Sequence, residues 1–174
     1  MIVGFMENYP FKFPERGEGP FFKLEDVLEP DDQVDKKHFI SKKVKAQLKE
    51  KGIKVSYRPS VWHQNKSGNI GVHPYSCALR ANASYNYLLV NGERRLTPRE
   101  MLRLQGFPDD FKIVVSNSEV RKQCGNSVVI PKIHAVAKAM IEAMKKKPMP
   151  PEMQATLFDI SSDAIKKVAY ATPE

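Results

Sequence analysis

The feature that most constrains this fold is the run Tyr87 to Gly106, YLLVNGERRLTPREMLRLQG, because its residues dictate a turn, a helix start and a helix stop in close succession. Tyr87-Leu88-Leu89-Val90 is a short β-type run. Asn91-Gly92 supplies the two positive-φ residues of a two-residue hairpin turn, so the chain should fold back through Glu93 to Leu96. Thr97 is placed as an N-cap, Pro98 at the first helical position and Glu100 as the return half of a capping box, with Leu96 and Met101 as a hydrophobic staple. Such a cap is worth about 1 kcal/mol. Gly106 and Pro108 should end this helix after two to three turns. Ser116 and Glu119 repeat the capping pattern for a second short helix, expected to stop at Gly125. A third helix follows, with Ile133, Val136, Ala137, Met140, Ile141 and Met144 on one face of a 3.6-residue period, Lys145, Lys146 and Lys147 at its negative end, and Pro148 just beyond.

Arg95-Leu96-Thr97-Pro98-Arg99-Glu100 with Leu104-Gln105-Gly106-Phe107-Pro108 resembles the ninth motif of the DNA methyltransferases that modify the 5-position of cytosine, and Gln123-Cys124-Gly125-Asn126-Ser127-Val128 resembles the tenth. They occur in family order. The resemblance implies a mixed α/β fold: a small β-rich target-recognition domain, plus the carboxy-terminal helices and one strand of a catalytic domain. It implies S-adenosylmethionine as cofactor, with Gly125, Asn126, Ser127 and Val128 towards it, Asn126 and Ser127 being expected at the start of a helix. It also implies double-stranded DNA as substrate.

Charge agrees with a polyanion partner: 28 lysines and arginines against 20 aspartates and glutamates leave a net +8. Cys77 and Cys124 stand at no zinc or redox spacing, and His38, His63, His73 and His134 are scattered, so no metal site is expected. No apolar run approaches the roughly 20 residues of a membrane span, and no secretory pattern opens the chain. A cytoplasmic bacterial protein, associated with the nucleoid through DNA, is expected.

Met1 to Phe5 reads as a buried-type strand similar to the end of the family's eighth motif, needing a sheet edge or another polypeptide to pair with. Residues 10–38 read as a loop with a short helical element near Leu24 to Leu28. Ser41 to Lys51 reads as a helix with Val44 and Leu48 inside and lysines outside, a solvated face before a phosphate-binding one. From Ile53 to Arg95 short β-type runs alternate with polar loops. Trp62 to Asn69 reads as a loop whose Gln64, Asn65 and Lys66 suit base edges and phosphates. Tyr75 to Asn82 is similar to the family's segment around a Thr-Leu pair, with Ala78 in place of the threonine. In it Arg80 and Asn82 are candidate DNA contacts, Arg80 either gripping guanine through its fork or holding a rim anion.

The expected parts are residues 1–38, strand and connection of the catalytic domain; 39–96, target recognition; 97–147, the ninth- and tenth-motif helices; and 148–174, a tail. That tail carries Gln154-Ala155-Thr156-Leu157-Phe158, loosely similar to peptides that bind bacterial replication clamps, with a packing segment as the simpler reading. The family's nucleophile, a cysteine in Pro-Cys-Gln, and its Glu-Asn-Val string are not in this sequence. The expectation is therefore a chain that completes a restriction–modification methyltransferase only with a partner carrying Pro-Cys-Gln. A stand-alone DNA-binding module or an inactive truncated methyltransferase is the alternative.

Overall fold

The turn at Asn91-Gly92 organises the larger of two compact units. The computed structural model describes residues 2–15, 23–84 and 86–149; those within Glu18–Ile133 form one unit, and those within Met1–Gly17 and His134–Glu174 the other. Asn91 (φ 54°) and Gly92 (φ 67°) both occupy the left-handed region, and the Glu93 N–H closes on the Val90 carbonyl at 2.9 Å. Strand β3 (Leu88–Val90) then runs antiparallel to β4 (Arg94–Arg95), with Val90 opposite Arg94. The loop is thus one residue longer than a two-residue turn. The extra residue, Glu93, is held elsewhere, its carbonyl accepting from Ile40 N–H at 3.1 Å.

Two further strands, β1 (Val61–Gln64) and β2 (Ile70–His73), complete an antiparallel sheet in the order β2-β1-β3-β4. Trp62, His63 and Gln64, expected in a loop, are therefore strand residues: Trp62 pairs with Val72 on one side and Leu89 on the other. The loop proper is residues 65–69, closed by the Asn65 side-chain oxygen accepting from Asn69 N–H at 2.9 Å.

Helix α1 (Leu24–Val27) and helix α2 (Lys42–Glu50) precede the sheet; α2 is capped by Ser41, buries Leu48 and leaves its lysines in solvent. After β4 comes α3 (Pro98–Gln105), whose capping box forms as expected. Thr97 Oγ1 accepts from Glu100 N–H at 3.2 Å, and Glu100 Oε2 accepts from Thr97 N–H at 2.8 Å. Gly106, at φ 84°, ends it. Leu96 and Met101 join Val61, Leu88, Val90 and Leu102 in one buried cluster.

Glu100 does more than cap. It is 0% exposed and accepts from Arg94 Nη1 and Nη2, each at 2.9 Å, and from the Glu29 N–H at 2.8 Å. Arg94, 1% exposed, also donates to Asp31 and to the Glu29 carbonyl. Burial alone would pull its pKa down, but the bonds to Glu100 and Asp31 more than offset that and hold it above the ordinary arginine value. One buried charge pair thereby fastens the segment after α1 to the hairpin and to α3.

Helix α4 (Asn117–Asn126) starts at Ser116, whose Oγ accepts from Glu119 N–H at 3.3 Å; among the described residues only this half of the expected capping box forms. The helix does not stop at Gly125. It runs to Asn126, with Ser127 as its carboxy-terminal cap. Helix α5 (Ile130–Met144) follows, burying Val136 and Ala143 but leaving Ile141 and Met144 exposed.

In the smaller unit residues 2–5 are not a strand, and Ile2 is fully exposed. An apolar run becomes a strand only when a neighbour supplies the ladder, and no described strand pairs with it. Aromatic contacts order the segment instead, Phe5 lying 5.6 Å from both Tyr9 and Phe11, and Phe11 5.0 Å from Phe13. The Asn8 carbonyl accepts from Met149 N–H at 2.6 Å. The peptide Gln154 to Phe158 lies outside the described residues.

Candidate functional site

The β1–β2 hairpin, the loop 79–84 and the end of α4 enclose an open cleft of about 830 Å³. Gln64, Asn65 and Lys66 line it from the hairpin, Arg80 and Asn82 from the loop, and Gly125 and Asn126 from α4. Seven of the nine residues singled out by sequence thus meet on one cleft. Ser127 and Val128 do not line it.

The loop 79–84 is positioned by side chains beneath it. Arg80 donates its backbone N–H to the Tyr87 hydroxyl at 3.0 Å, lays its guanidinium 5.2 Å from the Tyr87 ring centroid, and places Nη2 3.4 Å from His63 Nε2. Its fork is held yet exposed, an arrangement that limits the rotamer entropy lost on binding. Burial, the largest cause, pushes the Tyr87 phenol above its ordinary pKa, so it stays neutral under Arg80. Arg121 of α4 donates to the Ala83 carbonyl. Gly125 is the other anchor: a Cβ there would lie 2.0 Å from Ala81 N and 2.5 Å from Ala81 Cα, so the helix rests directly on the loop backbone.

These contacts divide the candidate residues. Lys66 stands exposed at the hairpin tip and Asn82 on the loop, whereas the side-chain oxygen of Asn65 is already committed to its turn. Sequence reading passed over Tyr87, His63 and Arg121, which hold Arg80 and its loop from across the fold. Gly125 carried an ambiguous signal: a glycine near the end of a capped helix reads as its stop, and only its place inside α4, at a cost of about 1 kcal/mol against alanine, points to a packing reason.

At the end of α4 the geometry corrects one expectation. Asn126 and Ser127 end α4 rather than start a helix, and the Ser127 N–H is directed to the Cys124 carbonyl at 3.3 Å. Residues 127–129 thus lie between the negative end of α4 and the positive end of α5, which begins at Ile130. The exposed groups are the Asn126 carboxamide and the side chains of Val128 and Val129, beside the half-buried Ser127 hydroxyl. Both thiols are protonated at neutral pH: burial raises the Cys124 pKa, and burial, against a smaller opposing effect of Arg80, raises that of Cys77. Neither is a ready nucleophile. Among the described residues no cluster could hold a metal, and no helix is long and apolar enough to cross a membrane.

The family model for C-5 cytosine-specific DNA methylases matches residues 20–142. The chain is 53% identical over 137 residues to the Type II methyltransferase M.NgoBI of Neisseria gonorrhoeae, covering 79% of this chain and 43% of that protein. Against M.HaeII of Haemophilus aegyptius it is 49% identical over 143 residues, 82% of this chain and 45% of the other. A more distant match, to M.Bsp6I of Bacillus sp. (strain RFL6), is 29% identical over 157 residues, 82% of this chain and 49% of the relative. The chain therefore spans about half the length of the curated relatives it matches.

Proposed function

The chain belongs to the C-5 cytosine-specific DNA methylase family, and we propose that within it the chain reads the DNA target and completes the cofactor pocket of a restriction–modification methyltransferase. The observation that carries this reading is the cleft itself, where amide and cationic side chains from two loops converge beside the end of α4. In it Arg80 offers a planar fork to a guanine edge, Gln64 and Asn82 offer amides, and Lys66 binds a phosphate. Residues 39–96 do the reading, and residues 97–147 return the chain to the catalytic domain.

The family's methyl donor, S-adenosylmethionine, supplies the methyl group that cytosine receives. Asn126, Ser127 and Val128 form one wall for it, and Gly125 holds that wall against the reading loop. The attacking thiolate comes from a partner carrying Pro-Cys-Gln, since Cys77 and Cys124 are held as thiols. Exposed Ile141 and Met144 on α5 are consistent with a further protein surface there.

Two substitutions test the reading. Arg80→Ala is expected to weaken binding at the cognate site by about 1–3 kcal/mol and to relax discrimination there, while Lys66→Ala weakens all duplexes alike and lowers the salt slope. Competition binding with cognate and random duplexes checks both. Equal losses on the two duplexes for Arg80→Ala would reduce Arg80 to a phosphate contact and remove the basis for target reading by this loop.

A further inference from the structure

Residues 41–58 carry Lys42, Lys43, Lys45, Lys49, Lys51, Lys54 and Arg58 against Glu50 alone, so six of the chain's eight net positive charges sit in one short segment. The fold turns part of that segment into a groove of about 460 Å³, separate from the reading cleft. Lys45 and Lys49 of α2 and Lys54 and Arg58 after it supply its cations. Leu48, Ile53, Val55 and the half-buried Trp62 ring supply apolar surface between them. The acid that lines it, Glu93, is paired with Arg58 at 3.1 Å, whereas Lys45, Lys49 and Lys54 form no ion pair among the described residues.

Cations spaced along an apolar floor match a nucleic-acid strand, whose phosphates alternate with apolar sugar faces. The groove is also tied to the reading cleft. Lys51, at the end of α2, donates to the Gly68 carbonyl, and Gly68 belongs to the hairpin tip that lines the cleft beside Lys66. A duplex lying in the cleft thus has a basic surface next to its point of contact with the hairpin.

We infer that the α2 groove is a second, sequence-independent DNA contact, which grips the phosphate backbone of the duplex flanking the recognition site. It rests on the reading of the chain as DNA-binding, and not on which residues read bases. The groove adds affinity and leaves discrimination to the cleft.

The test is the full chain carrying Lys45→Gln, Lys49→Gln and Lys54→Gln together, exposed changes that keep helix propensity and fold. Binding is measured against salt on two duplexes, one just spanning the site and one extended by a helical turn on each side. On the long duplex the slope of log affinity against log salt should fall by about 2–3, close to 0.9 for each phosphate that a lysine no longer neutralises. On the short duplex it should barely change, and the cognate-to-random ratio should hold on both. An unchanged slope on the long duplex overturns the inference, as does an equal fall per lysine in a control carrying Lys112→Gln and Lys122→Gln outside the groove. Loss of discrimination in the triple variant would also overturn it, by making the groove part of the reading surface. Should Arg80→Ala leave discrimination intact while the triple variant still flattens the slope, the reading-loop assignment fails and the groove stands; a chain that binds no duplex at all removes both.

Discussion

Glu100→Ala is expected to destabilise the larger unit by about 3–5 kcal/mol, the cost of removing one partner from a fully buried ion pair. The carboxylate accepts four bonds: two from Arg94, one from Glu29 N–H and one from Thr97 N–H. Truncation leaves a guanidinium in a site 1% exposed, with Asp31 and two backbone carbonyls to share it. It also strands two N–H donors, at about 1–3 kcal/mol for each that water does not reach. Thr97→Ala, which removes the other half of the capping box and keeps the pair, should cost nearer 1 kcal/mol. Urea unfolding of both variants separates capping from charge pairing. A loss below about 1 kcal/mol for Glu100→Ala would contradict this, and would mean that Asp31, the two carbonyls and entering water satisfy the Arg94 charge without Glu100.

Gly125→Ala sets two effects of opposite sign against each other. Helix propensity favours alanine by about 1 kcal/mol. The new methyl, however, would stand 2.0 Å from Ala81 N and 2.5 Å from the Arg80 carbonyl carbon, both main-chain atoms that cannot swing aside as a side-chain tip does. Overpacking typically costs 1–3 kcal/mol and more where backbone must move, so a net loss of about 2 kcal/mol or more is expected. Since the displaced segment is the loop bearing Arg80 and Asn82, cognate discrimination should fall with it. Gly4→Ala is the control, because nothing lies within 4 Å of a Cβ there. Thermal melting and duplex competition read the two consequences; a stabilised Gly125→Ala protein that still discriminates would show that α4 does not seat the loop.

How much of this was legible in the sequence follows from the range of each interaction. Asn91-Gly92, Thr97 to Glu100 and Gly106 could be read because a turn or cap is settled by side chains within four residues of the backbone they serve. The role of Glu100 could be read only by half. Its bonds to Arg94 and to Glu29, 71 positions earlier, depend on how the segment after α1 folds back. β1 was hidden because Trp62-His63-Gln64 lacks the apolar alternation of a half-buried strand, its pairing being set by β2 and β3 on either side. Met1 to Phe5 erred in the opposite direction, since strand-like composition does not itself provide a partner. On α5 the period gave the helix but not the covered face: Val136 and Ala143 are buried, while Ile133, Ile141 and Met144 are open. Seven of the nine candidate residues line one cleft, yet what brings them together, Tyr87 and His63 under Arg80 and Gly125 against Ala81, is tertiary and left little local trace.

The most direct test of the central claim is tritiated methyl transfer from S-adenosylmethionine to duplex DNA, measured for this chain alone, for a polypeptide carrying the Pro-Cys-Gln half alone, and for the two co-expressed. The expected result is transfer by the co-expressed pair only, with the methyl group on carbon 5 of cytosine. Transfer by this chain alone would contradict the account, because its two cysteines are held as buried or half-buried thiols; a pair no more active than its separate halves would contradict it equally.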